Sequence, residues 1–384
     1  MKQNNQAWCA AVITLCMYGL YTLLRLHINH SDISSFITAG DFFVDNKRTP
    51  SEISILKGSY GYDGEFYYRL ALDPLTQKAE DFGVRFDNPA FRQQRIGYPL
   101  LVWTLSAGNK AAVPALMVLV NLICLGGISF IGALMAKQKG KSALWGCVIT
   151  AYPGFMMSYG RNLAEIVTAF WIIAGIYALH ERRALLAAII FTIATFCRET
   201  SLLVPAGAGL FFLYCYVKNE RSIKVYPWHL MLLPLVLHIA WIQFLSMRWN
   251  MPPISGGAQD IGLPFVGIFN FLQSNLANNS LLSKVNIFFF LFCMVTFVVS
   301  ATALKQSEAN INIKISWSLY TALLLLLSNV IWLSFGEFTR AFTETFLLSV
   351  LIILGWSPRR AWIYISYSAY VILSWVTMGI YFLR

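Results

Sequence analysis

Charged side chains are scarce in this sequence of 384 residues, since Asp, Glu, Lys and Arg together make up only 12% of it. Soluble globular proteins are typically about one quarter charged, so an ordinary cytosolic enzyme is excluded. Disorder is excluded as well, because 57% of the residues are apolar and disordered segments are poor in such side chains. Lipid is therefore the expected solvent for most of the chain.

Several motifs of soluble enzymes are also missing. All seven cysteines fall inside apolar segments, and no Cys-x-x-Cys or Cys/His set has metal-ligand spacing. The five histidines show no His-x-x-x-His or His-Glu-x-x-His spacing, which argues against a catalytic zinc site. No glycine-rich nucleotide loop occurs. No cofactor is therefore expected; a divalent metal is not indicated, although it stays compatible with the sequence.

Long apolar runs are abundant. A helix needs about 20 apolar residues to cross a bilayer, and eleven segments approach or reach that length. They predict a single membrane domain over residues 1–384, an all-α polytopic protein with about eleven transmembrane helices. The predicted spans are 7–26, 111–135, 142–158, 162–180, 184–197, 201–217, 227–247, 284–304, 315–335, 341–356 and 361–382.

The net charge of +11 is best explained by the orientation of these helices rather than by a nucleic-acid partner. If the N-terminus is cytoplasmic, each short outer turn holds one arginine. Most of the other cations that do not belong to the two long outer loops then lie in cytoplasmic turns. Those cations are Lys2, Lys137, Lys139, Lys141, Arg182, Arg183, Lys218, Arg221, Lys224, Lys305, Lys314, Arg359 and Arg360. The bias predicts a cytoplasmic N-terminus and an outer C-terminus.

Two long segments then lie outside the membrane, at 27–110 and 248–283. The first holds ten of the 18 acids of the chain. It also contains 96–107, a stretch too short to span comfortably, which predicts an interfacial helix. The second is rich in Gly, Pro and Asn.

The most informative string, Tyr-Asp-Gly-Glu-Phe-Tyr-Tyr-Arg-Leu-Ala-Leu-Asp-Pro at 62–74, lies in the first outer loop. Residues 65–72 read as a short helix that Pro74 ends. Asp63 would stand at the start of this helix. Local chemistry leaves two roles open for it, a helix N-cap or a functional carboxylate.

This arrangement resembles the GT-C superfamily of membrane glycosyltransferases, which carry an acidic motif in the first outer loop. Asp63-Gly64-Glu65 has that form and position. The longer string, followed by Arg95-Ile96-Gly97-Tyr98-Pro99, is similar to a bacterial, mannosyltransferase-like branch of the superfamily. In that branch Gln is more frequent than Glu at the position of Glu65.

The resemblance implies a transferase of the bacterial inner membrane that moves a sugar from a polyprenyl-phosphate donor to a glycan or lipid acceptor at the outer face. Asp63 is the expected general base, because a carboxylate must take the proton of the attacking hydroxyl. Glu65 is the second expected catalytic residue, and it would orient Asp63, bind acceptor or help to hold a metal.

The outer-turn arginines are the candidate ligands of the donor phosphate, since a guanidinium binds phosphate oxygens in pairs. Arg198 comes first, because an Arg-Glu step such as Arg198-Glu199 recurs near the donor phosphate in GT-C proteins. Arg340 and Arg161 follow. The alternative is helical ion pairing: Glu165 lies four residues after Arg161, and Glu337 and Glu344 flank Arg340 at helical spacing.

Further substrate contacts are expected from the first outer loop and from Glu199. Tyr62 and Tyr67 would stack on a sugar ring, although interface anchoring explains them as well. Arg69 and Arg95 would line the path of the donor, or else form a solvated loop face.

Two other classes of function stay open. The first is a polysaccharide polymerase or O-acyltransferase, and the second is a transporter or flippase of lipid-linked sugars. A transporter would show charges at mid-span and matching broken helices in two repeats, and the sequence shows few such charges and no repeat.

Overall fold

The computed structural model describes residues 2–219, 228–358 and 361–383. Within these residues the chain forms seventeen α-helices, joined by turns and short 3-10 helices. They are α1 Lys2–Ile28, α2 Gly64–Leu72, α3 Pro89–Gln93, α4 Gly97–Ser106, α5 Val113–Gln138, α6 Trp145–Thr150, α7 Pro153–Tyr159, α8 Glu165–His180, α9 Ala184–Cys197, α10 Leu203–Val217, α11 Leu233–Trp249, α12 Val266–Ala277, α13 Leu281–Ala303, α14 Ile311–Leu325, α15 Phe335–Ala341, α16 Thr343–Leu354 and α17 Trp362–Leu383. The mostly helical class is confirmed.

Six helical segments in the described residues are long and apolar enough to cross a membrane. They are Asn4–Ile28, Lys110–Gln138, Glu199–Val217, Trp228–Trp249, Leu281–Ala303 and Trp362–Leu383. Four apolar helices are shorter, namely α8, α9, α14 and α16. These helices indicate a multi-pass membrane protein, while the count of eleven spans stays a prediction.

Helix α16 lies at the centre of the bundle, because every residue from Thr343 to Leu354 is buried. It packs against α8, α13 and α14. A helix that is apolar on nearly all sides is stable only when it is enclosed. Glu344, in its first turn, is buried with it, and a buried carboxylate requires a partner inside the protein.

Two predicted spans are interrupted. The span expected at 142–158 consists of α6 and α7, because Pro153 lacks an N–H and pushes Tyr152 out of the helical conformation. The span expected at 315–335 ends as a regular helix at Leu325, and the short helix α15 begins only at Phe335. The intervening backbone lines cavities described below, which is where membrane proteins tolerate irregular structure.

The first outer loop is more enclosed than expected. Helix α2, close to the predicted 65–72, is buried at every residue, so it is a core element of the loop and lies away from the interface. Helix α4 does present exposed apolar side chains, including Leu100 and Trp103. The loop also holds two small sheets, a parallel pair of β1 Ala39–Gly40 with β2 Ile55–Leu56 and an antiparallel pair of β3 Glu80–Asp81 with β4 Val84–Arg85.

The two long outer loops contact each other. Asn88, which caps α3, donates to the Ser255 hydroxyl at 3.3 Å. The Trp249 indole donates to Gln93 at 2.6 Å. The second loop contains the twelve-residue helix α12. Together the loops form a roof over one end of the bundle.

The predicted cytoplasmic turns meet at the other end. Gln138 donates to Glu181 at 3.3 Å, and Lys141 to Ser357 at 3.5 Å. Lys139 lies 3.7 Å from the Glu308 carboxylate. The two sets of turns therefore lie at opposite ends of the bundle, while the orientation of the bundle in the membrane stays a prediction. Arg221, Lys224, Arg359 and Arg360, and the first residue of the span expected at 227–247, lie outside the described residues.

Candidate active site

Two glycines place Asp63 at the bundle end that the roof covers. Gly61 has a φ of +61°, a conformation that favours glycine. A Cβ at Gly64 would come within 2.3 Å of the Arg161 carbonyl oxygen and 2.4 Å of that of Ile37. Glycine at this position therefore lets the start of α2 approach the turn after α7, and Asp63 is carried with it.

The Asp63 side chain does not cap its helix. It makes no hydrogen bond to the first turn of α2. Its Oδ1 instead accepts from Arg92 Nη1 at 2.7 Å, and its Oδ2 accepts from Arg340 Nη2 at 2.8 Å. The N-cap reading is therefore wrong, because both carboxylate oxygens serve tertiary ion pairs.

Electrostatics keep Asp63 ionised. Burial alone would raise the pKa of this carboxyl, but the positive charges of Arg92, Arg340 and Arg95 outweigh burial and hold the pKa well below its usual range. An Asp63 anion is thus available at any physiological pH. The same stabilisation weakens it as a proton acceptor, since a base works best with a pKa near the working pH.

Arg340 is the centre of a polar network. Its Nε donates to Glu165 at 2.8 Å, and its Nη1 donates to the Tyr62 hydroxyl at 2.8 Å. Tyr62 in turn donates to Glu337 at 2.7 Å. Glu337 also lies 3.7 Å from Arg340, so this helical pair forms, whereas Glu344 pairs elsewhere. The predicted pair of Arg161 with Glu165 does not form, because Glu165 turns to Arg340.

Arg198 has partners that lie far away in the sequence. Its Nη1 is 3.3 Å from the Glu344 carboxylate and 3.9 Å from that of Glu165, and it donates to the Arg340 carbonyl at 3.2 Å. Its Nε is buried without a hydrogen-bond partner. Arg198 is therefore held by acids that are distant in the sequence, although one of its donors stays unused.

Arg95 and Glu199 form a two-point ion pair, with Nε and Nη2 at 2.9 and 2.5 Å from the carboxylate oxygens. This pair joins the first outer loop to the turn after α9. Arg95 is thus part of the site rather than of a solvated loop face, and Glu199 positions it.

These side chains surround one cavity of about 270 Å³, which we call the polar chamber. Asp63, Tyr62 and the guanidiniums of Arg198 and Arg340 all line it. The roof closes it from the other side through Arg92, Arg95, Asp87, Asn88, Phe91, Gly256, Gln259 and Asp260. Asp63 and Arg198 therefore face a shared cavity at the end that carries the predicted outer loops.

A second cavity of about 350 Å³, the apolar lobe, adjoins the chamber. The two share lining residues, among them Arg95, Arg198 and Asp260. The rest of the lobe is mostly apolar and includes Ile242, Ile261, Leu323, Leu324 and Leu327, beside the acids Glu199 and Glu344 that pair with the arginines. An anionic group at the arginines could thus continue directly into an apolar chain.

Five expected site residues do not line the chamber, and one of them, Glu199, lines the apolar lobe instead. Glu65 is buried on the far side of α2, where Gly40 N donates to it at 2.8 Å. Arg69 is buried over the rings of Phe82 and Phe86 and donates to Thr76. Tyr67 is buried against Tyr98, and Arg161 lines a different cavity. Glu65, Arg69 and Tyr67 therefore make structural contacts away from the chamber, while their catalytic and substrate-binding roles stay predictions.

The structure also adds residues that sequence reasoning did not select. Glu165 and Glu344 bind the outer-turn arginines from buried helix starts, and an acid inside an apolar segment is the signal that marks them. Asp260 lines both cavities from the second outer loop. Burial raises the pKa of Asp260, whereas that of Asp63 is lowered. Asp260 is a lone acid in a Gly-rich loop, which is a weak signal.

The chamber gives no indication of a bound cation. Among the described residues, no group of three or more His, Cys, Asp or Glu side chains is arranged to hold a metal ion. The carboxylates of Asp63, Glu165 and Glu199 instead face guanidiniums.

Comparison with known proteins adds no relative. No family model, curated protein or solved structure matches this chain.

Proposed function

We propose that this protein is a GT-C-type glycosyltransferase of the bacterial inner membrane. It would move a sugar from a polyprenyl-phosphate donor to a hydroxyl of a glycan or lipid acceptor at the outer face. One observation carries the proposal: Asp63, Arg198 and Arg340, from three distant parts of the chain, line one polar chamber that continues into an apolar lobe.

The chemistry suits such a cavity. The acceptor oxygen attacks C1 of the sugar, the bond from C1 to the phosphate oxygen breaks, and a carboxylate takes the hydroxyl proton. The leaving group is polyprenyl phosphate, whose growing negative charge requires preorganised donors. Arg198 and Arg95 stand where the chamber meets the lobe, so they would hold the phosphate while the first prenyl units occupy the lobe.

The donor phosphate would bind by replacing carboxylates as the partners of the chamber arginines. Each guanidinium of the chamber already faces a carboxylate, as Arg198 faces Glu344 and Arg95 faces Glu199. An incoming phosphate offers the same charge with more acceptor oxygens. It would compete with Glu344 for Arg198 and with Glu199 for Arg95.

Asp63 is the proposed base, and Asp260 is its competitor. Asp63 is ionised but held by two arginines, so an acceptor hydroxyl must displace one of these contacts. Asp260 faces the same chamber, and its raised pKa lies closer to neutral pH. Separate Asp63→Asn and Asp260→Asn variants assign the role.

The direct test is to incubate the purified protein with a panel of polyprenyl-phosphate sugars and candidate acceptors. The proposal expects release of free polyprenyl phosphate together with a glycosylated acceptor. Absence of release with every donor, from a folded protein that binds polyprenyl phosphate, would contradict it.

Acyl transfer is the second candidate, and one observation favours it. His238 of α11 is buried, lines the apolar lobe and has an Nδ1 without a hydrogen-bond partner. O-acyl transfer would need this imidazole as a base. His238→Gln should then abolish activity, whereas glycosyl transfer should be little affected.

A further inference from the structure

A third cavity lies beside the polar chamber, and the side chains that line it carry a different set of charges. It has a volume of about 990 Å³ and is lined by Arg25 and Arg161, by Thr38 and Thr377, and by apolar side chains. None of the described residues that line it is acidic. The polar chamber, by contrast, is lined by both arginines and carboxylates.

Among the described residues, the two guanidiniums of this cavity have only neutral partners. Arg25, at the end of α1, donates only to neutral oxygens, which belong to Gly160 at 2.6 Å, Ser35 at 2.9 Å and Tyr21 at 3.2 Å. Arg161 lies over the rings of Tyr62 and Phe382, at 4.1 and 5.2 Å from their centroids. Neither has a carboxylate within ion-pair distance in the described part of the chain. Two such cations favour an anion between them.

The walls of the cavity are membrane-facing helix ends. Leu281 and Leu282 begin α13, and Ile380 and Tyr381 lie in the last turn of α17. All four side chains are exposed. Thr38 and Leu56 of the first outer loop complete the cavity, which places it at the bundle end predicted to face outward. A cavity that holds two cations between apolar, lipid-facing walls suits an amphiphile whose anionic head lies at the membrane surface.

We propose that this cavity binds the phosphate head of a bulk anionic phospholipid, with Arg161 and Arg25 as the phosphate ligands and the ends of α13 and α17 as the contact for its chains. The site is separate from the donor site, and it stands whether or not the protein transfers sugars. Tyr62 forms the partition, since its ring also lies 5.0 Å from the Arg340 guanidinium of the chamber.

The test measures lipid binding to the full-length protein by native mass spectrometry in neutral detergent. Phosphatidylglycerol is titrated against phosphatidylcholine with the same chains, and separate arms use polyprenyl phosphate and inorganic phosphate. We expect one phosphatidylglycerol to bind in preference to phosphatidylcholine. Arg161→Gln should weaken this binding by roughly tenfold, the usual scale of a charge-assisted phosphate contact, and Arg161→Lys should restore part of it.

Two further variants keep the result interpretable. Arg182→Gln, at the opposite end of the bundle, should leave binding unchanged. If Arg161→Gln does not fold, Leu282→Glu places an acid on the exposed wall and should weaken binding in the same way. Asp63→Asn should keep phosphatidylglycerol binding, which separates this site from the proposed transfer.

Three outcomes would overturn the proposal. They are equal binding of the two phospholipids, binding that neither Arg161→Gln nor Leu282→Glu changes, and a clear preference for polyprenyl phosphate or inorganic phosphate over phosphatidylglycerol.

Discussion

At Asp63, burial and neighbouring charge act in opposite directions, and the charges prevail. Removing a carboxylate from water disfavours its ionised form, but two arginines within 2.8 Å favour that form more strongly. The anion therefore helps to hold Arg92 and Arg340 in the chamber even before substrate arrives. Loss of its charge should disturb the site without exposing any apolar surface.

At Glu65 the effect of burial outweighs that of the neighbouring charges, and this leads to a prediction about stability. Burial raises the pKa of Glu65 from 4.5 to about 8. The folded state then binds a proton that the unfolded state releases. The contribution of this carboxyl to stability is therefore fully present below about pH 4.5 and falls by ~1.4 kcal/mol per pH unit up to about pH 8. Glu65→Gln should abolish this decline. Thermal unfolding of both proteins between pH 5 and pH 8.5 measures it.

Transfer activity checks the same variant. A neutral amide resembles a protonated carboxyl and can still accept from Gly40 N, so Glu65→Gln should keep most of the activity at pH 7. A loss as deep as that of an Asp63 variant, with unchanged stability, would return Glu65 to a catalytic role.

Arg198 allows its structural and functional roles to be separated. Arg198→Gln alone leaves Glu344 buried without its cation, which costs about 3–5 kcal/mol for a broken buried pair. The double variant Arg198→Gln/Glu344→Gln should regain most of that stability. It should still raise the KM for donor by about tenfold or more, because the phosphate has lost a guanidinium. An unchanged donor dependence in the stable double variant would exclude a phosphate role for Arg198.

At the scale of helices, the sequence predicted the long apolar elements well. Continuous apolar runs identified α1, α5, α13 and α17 within a few residues of their observed bounds, because lipid selects such runs directly. The break after Leu325 was missed. Residues 326–334 are mostly apolar too, and hydropathy does not separate a helix from irregular backbone that lines a cavity.

The approach of α2 to the rest of the bundle depends on Gly64, which gives a prediction at this scale. In Gly64→Ala the new methyl group would meet two backbone carbonyl oxygens, and these cannot rotate away. We expect a loss of roughly 1–3 kcal/mol in stability, as for overpacked sites, together with reduced transfer. Gly19→Ala is the matched control, since nothing lies within 4 Å of its added Cβ. Equal effects of the two substitutions on thermal unfolding would argue against the close approach.

At the scale of the whole molecule, charge segregates to opposite ends of the bundle. The cationic turns after α5 and α8 meet at one end, and the arginine-bearing turns meet the first outer loop at the other. The candidate site was predictable to this extent, because topology alone places Asp63 and the three arginines on one side. Of the acids that hold the arginines, Glu337 was predictable from its helical spacing to Arg340. The partner of Arg198 was not: Glu344 lies 146 residues from it, and only the packing of α16 brings them together.

Labelling of single cysteines tests this orientation. Ser255→Cys lies on the roof and Ser142→Cys at the opposite end, and both positions are exposed. In intact cells a membrane-impermeant maleimide should label Ser255→Cys above the background of the parent protein. Ser142→Cys should react only after permeabilisation. The reverse pattern would place the chamber in the cytoplasm.

The central claim is that the polar chamber transfers sugar from a lipid phosphate. The most direct test compares the rate of polyprenyl phosphate release by purified wild-type protein with the rate by the purified Asp63→Asn variant. With a donor that supports turnover, we expect the variant to lose about 10²–10⁴-fold in rate, the range of a lost general base, while its thermal unfolding shows a folded protein. Asp260→Asn is measured beside it. Wild-type rates from both variants, each of them folded, would contradict the account.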